Sequence, residues 1–214
     1  MTVASAAGQL PNAGVVLASA SPRRLALLRQ MALPVVARPA DIDETPLEGE
    51  RPKDYVARMS RIKCAAGQAL VSGWLAEDPA SRVILAADTS VILDGQILGK
   101  PDSPDAAKAM LTQLSGNQHE VMTSVSTASA MGERSALAVA IVRFRALSAR
   151  DIEAYIATGE GLDKAGSYGI QGIGGIFAEH ISGSYSAVVG LPIATVETLL
   201  TELGIDTWRL RSYV

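Results

Sequence analysis

The chain is poor in the residues that most often carry specialised chemistry. It has one cysteine, Cys64, which excludes a disulfide scaffold and points to a reducing compartment. Its two histidines, His119 and His180, are too few and too scattered for a zinc site, which needs three or four spaced ligands. Aromatic residues make up only 4%, and no apolar run reaches the roughly 18 residues that a membrane-spanning helix requires. Neither sign of charge dominates: 19 basic against 22 acidic residues leave a net charge of −3, so there is no broad basic field for nucleic acid. Residues 1–14 lack the basic start and apolar stretch of a signal peptide, and read as a loose tail. Apolar content, by contrast, is ample. With 48% of residues hydrophobic and 19% charged, intrinsic disorder is excluded. A chain of this length buries roughly 70% of its unfolded surface on folding, enough for a core without staples. The expectation is one cytoplasmic α/β domain over residues 15–214 with a small ligand.

Local signals give the order of elements. Val15–Ala18 reads as a buried strand, followed by a helix to Met31 with Ser21 as N-cap and Pro22 at the first helical position. Pro34–Ala37 is a second short strand, leading into the acidic loop Asp41-Ile42-Asp43-Glu44. A long helix spans Pro52 to Leu70, and Trp74–Ser81, flanked by Gly73 and containing Pro79, reads as a surface loop. Arg82–Ala87 is a strand ending at Asp88, while Val91–Leu93 and Gln96–Leu98 flank the hairpin signal Asp94-Gly95. A helix from Ser103 and Pro104 to Leu114 is closed by Gly116. Glu120–Ser129 and Arg134–Ala146 read as paired strands, and Ser148 with Asp151 forms a capping box for a helix to Thr158. The glycine-rich stretch Gly159–Gly190 holds a short strand at Ile176–Ile181, and Ala194–Leu203 is the final helix. Strands alternating with helices, then a hairpin pair, predict an α/β fold with a mixed sheet flanked by helices.

Several residues stand out against these elements. Arg23 and Arg24 lie in the first turn of a helix, where the dipole disfavours cations and unpaired N–H groups favour an anion. They are either solvated arginines tolerating a small penalty or half of a phosphate site. Lys63 borders the apolar stripe Tyr55, Met59, Ile62, Ala66 and Leu70, so it either snorkels to water or delivers an ammonium into a cleft. Asp88, placed after an apolar strand, is either a turn cap or a carboxylate at the sheet edge where α/β folds bind ligands, suited to Mg²⁺ or Mn²⁺. Lys100, before Pro101, is aimed by a rigid turn, although the preceding glycines do not complete a phosphate-binding loop. Gln171 carries an amide that can read a base edge through paired donor and acceptor. Asp41-x-Asp43-x-Thr45 fits a phosphatase nucleophile pattern, but the charge and proline at Arg38-Pro39 are foreign to a buried central strand.

Taken in order, these segments resemble the Maf family. The run LASASPRRLALL at 17–28, DIDE at 41–44, ARMSRIKCAA at 57–66, AADTSVILDGQILGKP at 86–101, LSGNQHEVMTSVS at 114–126, DKAGSYGIQG at 163–172 and GSYSAVVGLP at 183–192 all stand in register. The resemblance covers about residues 15–205. It implies an inosine-triphosphatase-like fold with a central cleft. It also implies a divalent-metal-dependent nucleoside triphosphate pyrophosphatase, cytoplasmic and homodimeric, that releases a nucleoside monophosphate and pyrophosphate. Carried over by motif, Asp88 is the proton acceptor and a metal ligand, and Glu44 is a second acidic residue at the metal. Lys63 and Lys100 face the phosphates, and Ser19, Arg23 and Arg24 form the first phosphate-holding loop. Arg23, Thr89 and Gln171 are similar to the members acting on dTTP and UTP. Ser90, Ser124 and Ala187 depart from the usual residues at their positions. Two rival functions stay open: a non-catalytic nucleotide sensor of cell division, and a phosphatase using Asp41 as covalent nucleophile.

Overall fold

The computed structural model describes residues 12–77 and 81–212. Most of the expected tail, and Pro79 of the expected surface loop, lie outside the described residues. The tail reading is corrected at its end, because Ala13 is buried and Gly14 already belongs to the first strand.

Seven strands form one mixed sheet. In chain order they are β1 (Gly14–Leu17), β2 (Val35–Ala37), β3 (Arg82–Leu93), β4 (Gln96–Leu98), β5 (Gln118–Ser129), β6 (Gly132–Phe144) and β7 (Ala178–Ser182). The spatial order is β2-β1-β3-β5-β6-β7, with β4 also paired to β3. β1 runs parallel to both β2 and β3, and all other pairs are antiparallel. Asp94 and Gly95 take positive φ angles of 50° and 77°, which gives the β3–β4 turn the twist a two-residue hairpin requires.

β3 departs from expectation in a way that matters for function. Two strands separated at Asp88 were expected; the structure has one continuous strand of 12 residues, with Asp88 in its middle. The strand survives because β5 pairs with it without interruption from Ile84 to Ile92. On its other edge β1 pairs only as far as Leu85, and β4 begins only at Val91. Between them the sheet has a gap, and Asp88 and Thr89 stand at that gap.

Helices cover both faces. Helix α1 (Pro22–Gln30) starts as the sequence predicts, with the Ser21 hydroxyl accepting from the Arg24 amide and Pro22 in the first turn. It joins α7 (Ile193–Glu202) in covering Leu17, Val83, Leu85 and Ala87 on one face. The opposite face, with Val16, Ile84 and Ala86, packs on Cys64 of α2 (Pro52–Leu70) and on Trp74 and Leu75 of α3 (Ser72–Glu77). Helix α3 replaces the expected loop, since Trp74 and Leu75 are buried against the sheet and tertiary burial outweighs the local glycine signal. A further cluster joins β5 and β6 to α4 (Pro104–Leu114) and α5 (Ala149–Ala157) through Leu111, Val142, Phe144, Tyr155 and Phe177. The capping box of Ser148 and Asp151 is present. Two short α-helices went unread in the sequence: α6 (Tyr185–Val189) in the glycine-rich stretch, and α8 (Thr207–Arg211), which follows the helix expected to be last; the strand expected from Ile176 begins at Ala178, because Ile173–Phe177 forms a 3-10 helix.

Candidate active site

The gap beside β3 opens into a cavity of about 750 Å³. Its walls come from the start of α1, the acidic loop, α2, β3, the turn after β4 and the glycine-rich stretch. The nine residues that the family resemblance assigns to the site all line it: Ser19, Arg23, Arg24, Glu44, Lys63, Asp88, Thr89, Lys100 and Gln171.

At its centre, Lys63 of α2 meets two carboxylates. Its Nζ lies 2.7 Å from Asp88 Oδ1 and 2.8 Å from Glu44 Oε1. The Lys63 and Asp88 side chains are 12% and 9% exposed, so water screens this pair weakly, whereas the Glu44 side chain is 52% exposed and meets solvent. Lys63 is therefore delivered into the cleft rather than snorkelling away from it. Glu44 is aimed by its neighbours. Tyr55 of α2 donates to the Glu44 carbonyl at 2.9 Å, and Arg58 holds both Glu50 and the Thr45 carbonyl. Burial, with the Asp88 and Glu44 charges adding to it, pushes the Tyr55 phenol up to about 12, so it stays a donor.

The two arginines of α1 part company. Arg24 turns three of its five N–H donors to the protein: Nε donates to the Gly190 carbonyl at 2.9 Å, Nη1 to Ser19 Oγ at 3.3 Å and Nη2 to Thr89 Oγ1 at 3.1 Å. Burial lowers its pKa, partly offset by the Asp88 carboxylate. Thr123 Oγ1 donates to the Ala187 carbonyl at 2.8 Å, so the 2.9 Å contact between Thr89 and Thr123 takes the Thr89 proton. Thr89 can offer the cavity only a lone pair. These three donors fix Ser19, Thr89 and the α6–α7 turn, while Arg24 also lines the cavity. Arg23 makes no hydrogen bond to the described residues, and α1 has no acidic residue in its first turn, so its positive end is uncompensated.

The departures at Ser124 and Ala187 have local accounts. Ser124 Oγ lies 2.8 Å from Ser60 Oγ of α2, where the hydroxyls satisfy one another beneath the site. Ala187 contributes backbone groups, its carbonyl accepting from Thr123 and its amide donating to Ser184 Oγ. Ser90 is buried, and nothing in the structure explains the choice of serine there.

Residues that sequence reasoning missed complete the far wall. Glu160 and Tyr168 line the cavity, as do Asp163 and Lys164. Tyr168 Oη is 2.8 Å from Nε2 of the buried His119. Burial depresses His119 to about 4, so its ring is neutral. The DKAG stretch carried a signal in its charged residues, whereas Tyr168 and His119 had none beyond their polarity.

Asp41 is exposed on an irregular segment and does not line the cavity, and the Asp43 carboxylate is turned to Thr45. A covalent phosphatase reading has no geometric support. Among the described residues no group of three or more His, Cys, Asp or Glu side chains could hold a metal ion. Asp88 and Glu44 are nonetheless a hard-oxygen pair beside a large cavity. That matches how Mg²⁺ is held, by one or two carboxylates with substrate phosphates and water filling the remaining positions. No helix among the described residues is long and apolar enough to cross a membrane.

The chain is similar to several known proteins. The dTTP/UTP pyrophosphatase of Alcanivorax borkumensis is 49% identical over 195 residues, 91% of this chain and 97% of that protein. Proteins of the same name from Shewanella oneidensis and Methylococcus capsulatus are 49% and 44% identical, over 89% and 94% of this chain and 98% and 96% of their own lengths. The solved structure of the Staphylococcus aureus Ham1 protein matches 61% of this chain and 71% of its own, with 14% identity and a TM-score of 0.42. The Maf-like protein pattern matches residues 14–203, from the first strand through α7, and the chain belongs to the Maf family.

Proposed function

We propose that this chain hydrolyses nucleoside triphosphates between the α and β phosphates, with dTTP and UTP preferred, releasing a nucleoside monophosphate and pyrophosphate. The observation that carries the reading is the Glu44–Lys63–Asp88 cluster facing the uncompensated N-terminus of α1 across one cavity. Relatives named dTTP/UTP pyrophosphatase support the choice of nucleotide.

The residues divide the work by place. A triphosphate carries about four negative charges, which must be matched before a nucleophile can approach phosphorus. Arg23, Lys100 and the α1 amides bind and orient the phosphate chain. Lys63 engages Asp88 through Oδ1 only, so the second oxygen is open to take a proton from an attacking water. Asp88 and Glu44 would hold Mg²⁺ or Mn²⁺, which when bound polarises the phosphate oxygens and lowers the pKa of water. Gln171, exposed and without a hydrogen bond to the described residues, offers its amide to the base. In this reading residues 15–214 are one domain, and the enzyme is a cytoplasmic homodimer.

One assay tests the function. A panel of nucleotides is incubated with Mg²⁺ or Mn²⁺ and the products are separated by chromatography. Monophosphate and pyrophosphate from dTTP and UTP are expected. Orthophosphate release, or tight binding with no product, would overturn the reading in favour of a phosphatase or a sensor.

A further inference from the structure

The cavity wall that carries Gln171 is folded around a single carboxylate. Glu160 Oε1 accepts from the Tyr155 hydroxyl at 2.9 Å and the Gly174 amide at 3.0 Å, and Oε2 accepts from the Ile173 amide at 2.9 Å. The Tyr155 hydroxyl accepts in turn from the Gly169 amide at 3.0 Å. Both ends of the loop 169–174 are therefore tied to one side-chain pair, with Gln171 at its crest. The wrap is tight: a Cβ on Gly172 would stand 2.3 Å from Glu160 Oε2, and one on Gly174 would stand 2.8 Å from the Tyr155 oxygen. Lys164 adds a bond to the Glu160 carbonyl, and its stem lies against Gly169.

Glu160 lines the cavity, so a metal-binding role is the obvious rival. Its oxygens already accept three hydrogen bonds, two of them from backbone amides that cannot turn away, which leaves it a poor ligand. Desolvation works to raise its pKa, but the Gly174, Ile173 and Tyr155 donors prevail and lower it, so the loop is pinned by a charged acceptor.

We infer that Glu160, together with Tyr155, is a positioning residue for base recognition, holding the Gln171 amide where it meets the edge of a bound pyrimidine. This rests on the nucleotide reading above. A glutamine amide recognises a base only when its donor and acceptor arrive together, and misplacement by about 1 Å is enough to lose most of the gain. The three donors to Glu160, from Tyr155, Ile173 and Gly174, belong to residues that do not line the cavity.

The test uses two probes, α,β-methylene-UTP and inorganic triphosphate, the second having no base. In Glu160→Ala, binding of α,β-methylene-UTP measured by calorimetry weakens about tenfold while inorganic triphosphate binds as in the wild type. Tyr155→Phe, which keeps the ring and removes only the hydroxyl, gives the same pattern to a smaller degree. In a Gln171→Ala background, Glu160→Ala adds no further loss, as two residues acting through one contact require. Equal weakening of both probes, or a full Glu160→Ala penalty without Gln171, overturns the inference. A wild-type protein that binds triphosphate but gains nothing from the base overturns it too, while binding of neither probe removes the nucleotide reading itself.

Discussion

Lys63 and Asp88, 25 positions apart in the chain, meet at 2.7 Å across the gap beside β3, and Glu44 shares the same ammonium. The pairing leaves Asp88 with one oxygen engaged and one open, a state suited to taking a proton while staying anchored. Asp88→Asn keeps the shape and removes the basicity. Turnover of UTP should fall by about 10²-fold or more, with melting temperature little changed, and metal-saturated kinetics checks both.

Lys63→Met tests the other half of the pair. It leaves two carboxylates facing each other in a weakly hydrated cleft. A loss of about 1–3 kcal/mol in stability is expected, at the lower end of what breaking a buried ion pair costs because Glu44 is half exposed. Denaturant melts at pH 7 measure it, and activity should be lost in the same variant.

The two adjacent arginines should give opposite signatures. Arg23 has no hydrogen bond to the described residues, so Arg23→Gln weakens triphosphate binding and leaves the melting temperature alone. Arg24 holds three partners, so Arg24→Gln lowers the melting temperature by an amount equivalent to about 1–3 kcal/mol and disturbs Ser19 and Thr89 as well. Paired thermal melts and binding titrations separate these outcomes.

The buried His119 predicts a pH effect on stability. Its pKa falls from 6.5 to about 4 on folding, so between those values the unfolded chain binds more protons than the folded one. Stability is therefore full above the unfolded value and declines as pH drops through this window, by up to about 3 kcal/mol. Glu50, held near 2 by Arg58, titrates below the window and does not mask the effect. Melting temperatures from pH 7 to 4.5 should fall in the wild type and much less in His119→Gln.

Gly67 reverses a general rule. Replacing glycine by alanine in a helix interior usually gains about 1 kcal/mol. Here the new Cβ would lie 2.6 Å from the Ala18 Cβ and 2.9 Å from Ile84 Cδ1, where α2 crosses the sheet. Gly67→Ala should instead destabilise by about 1–3 kcal/mol in thermal melts.

How much of this was legible in the chain depends on the range of the signal. α1, α2, α4 and the Asp94-Gly95 hairpin are written locally in caps, prolines and apolar stripes, and all are present. The continuity of β3 was not legible, because a buried carboxylate looks like a boundary until β5 supplies its unbroken partner. Nine site residues could be named from motifs, but their contacts could not be read. Nothing in a sequence tells Arg23, without a hydrogen bond to the described residues, from Arg24, tied to Gly190 and Thr89. The Glu160 clamp was invisible for the same reason, since its partners are backbone amides that exist as donors only once the loop has folded.

The discontinuity along one edge of β3 has an evolutionary consequence. Neighbouring positions on an extended chain project to opposite sides, so the acid and the hydroxyl at 88 and 89 owe their separate duties to counting alone. A one-residue insertion or deletion between Arg82 and Asp88 would exchange them, turning the carboxylate toward Arg24 and the hydroxyl toward Lys63. Length changes should therefore accumulate in connecting segments and be absent from this stretch in every working descendant.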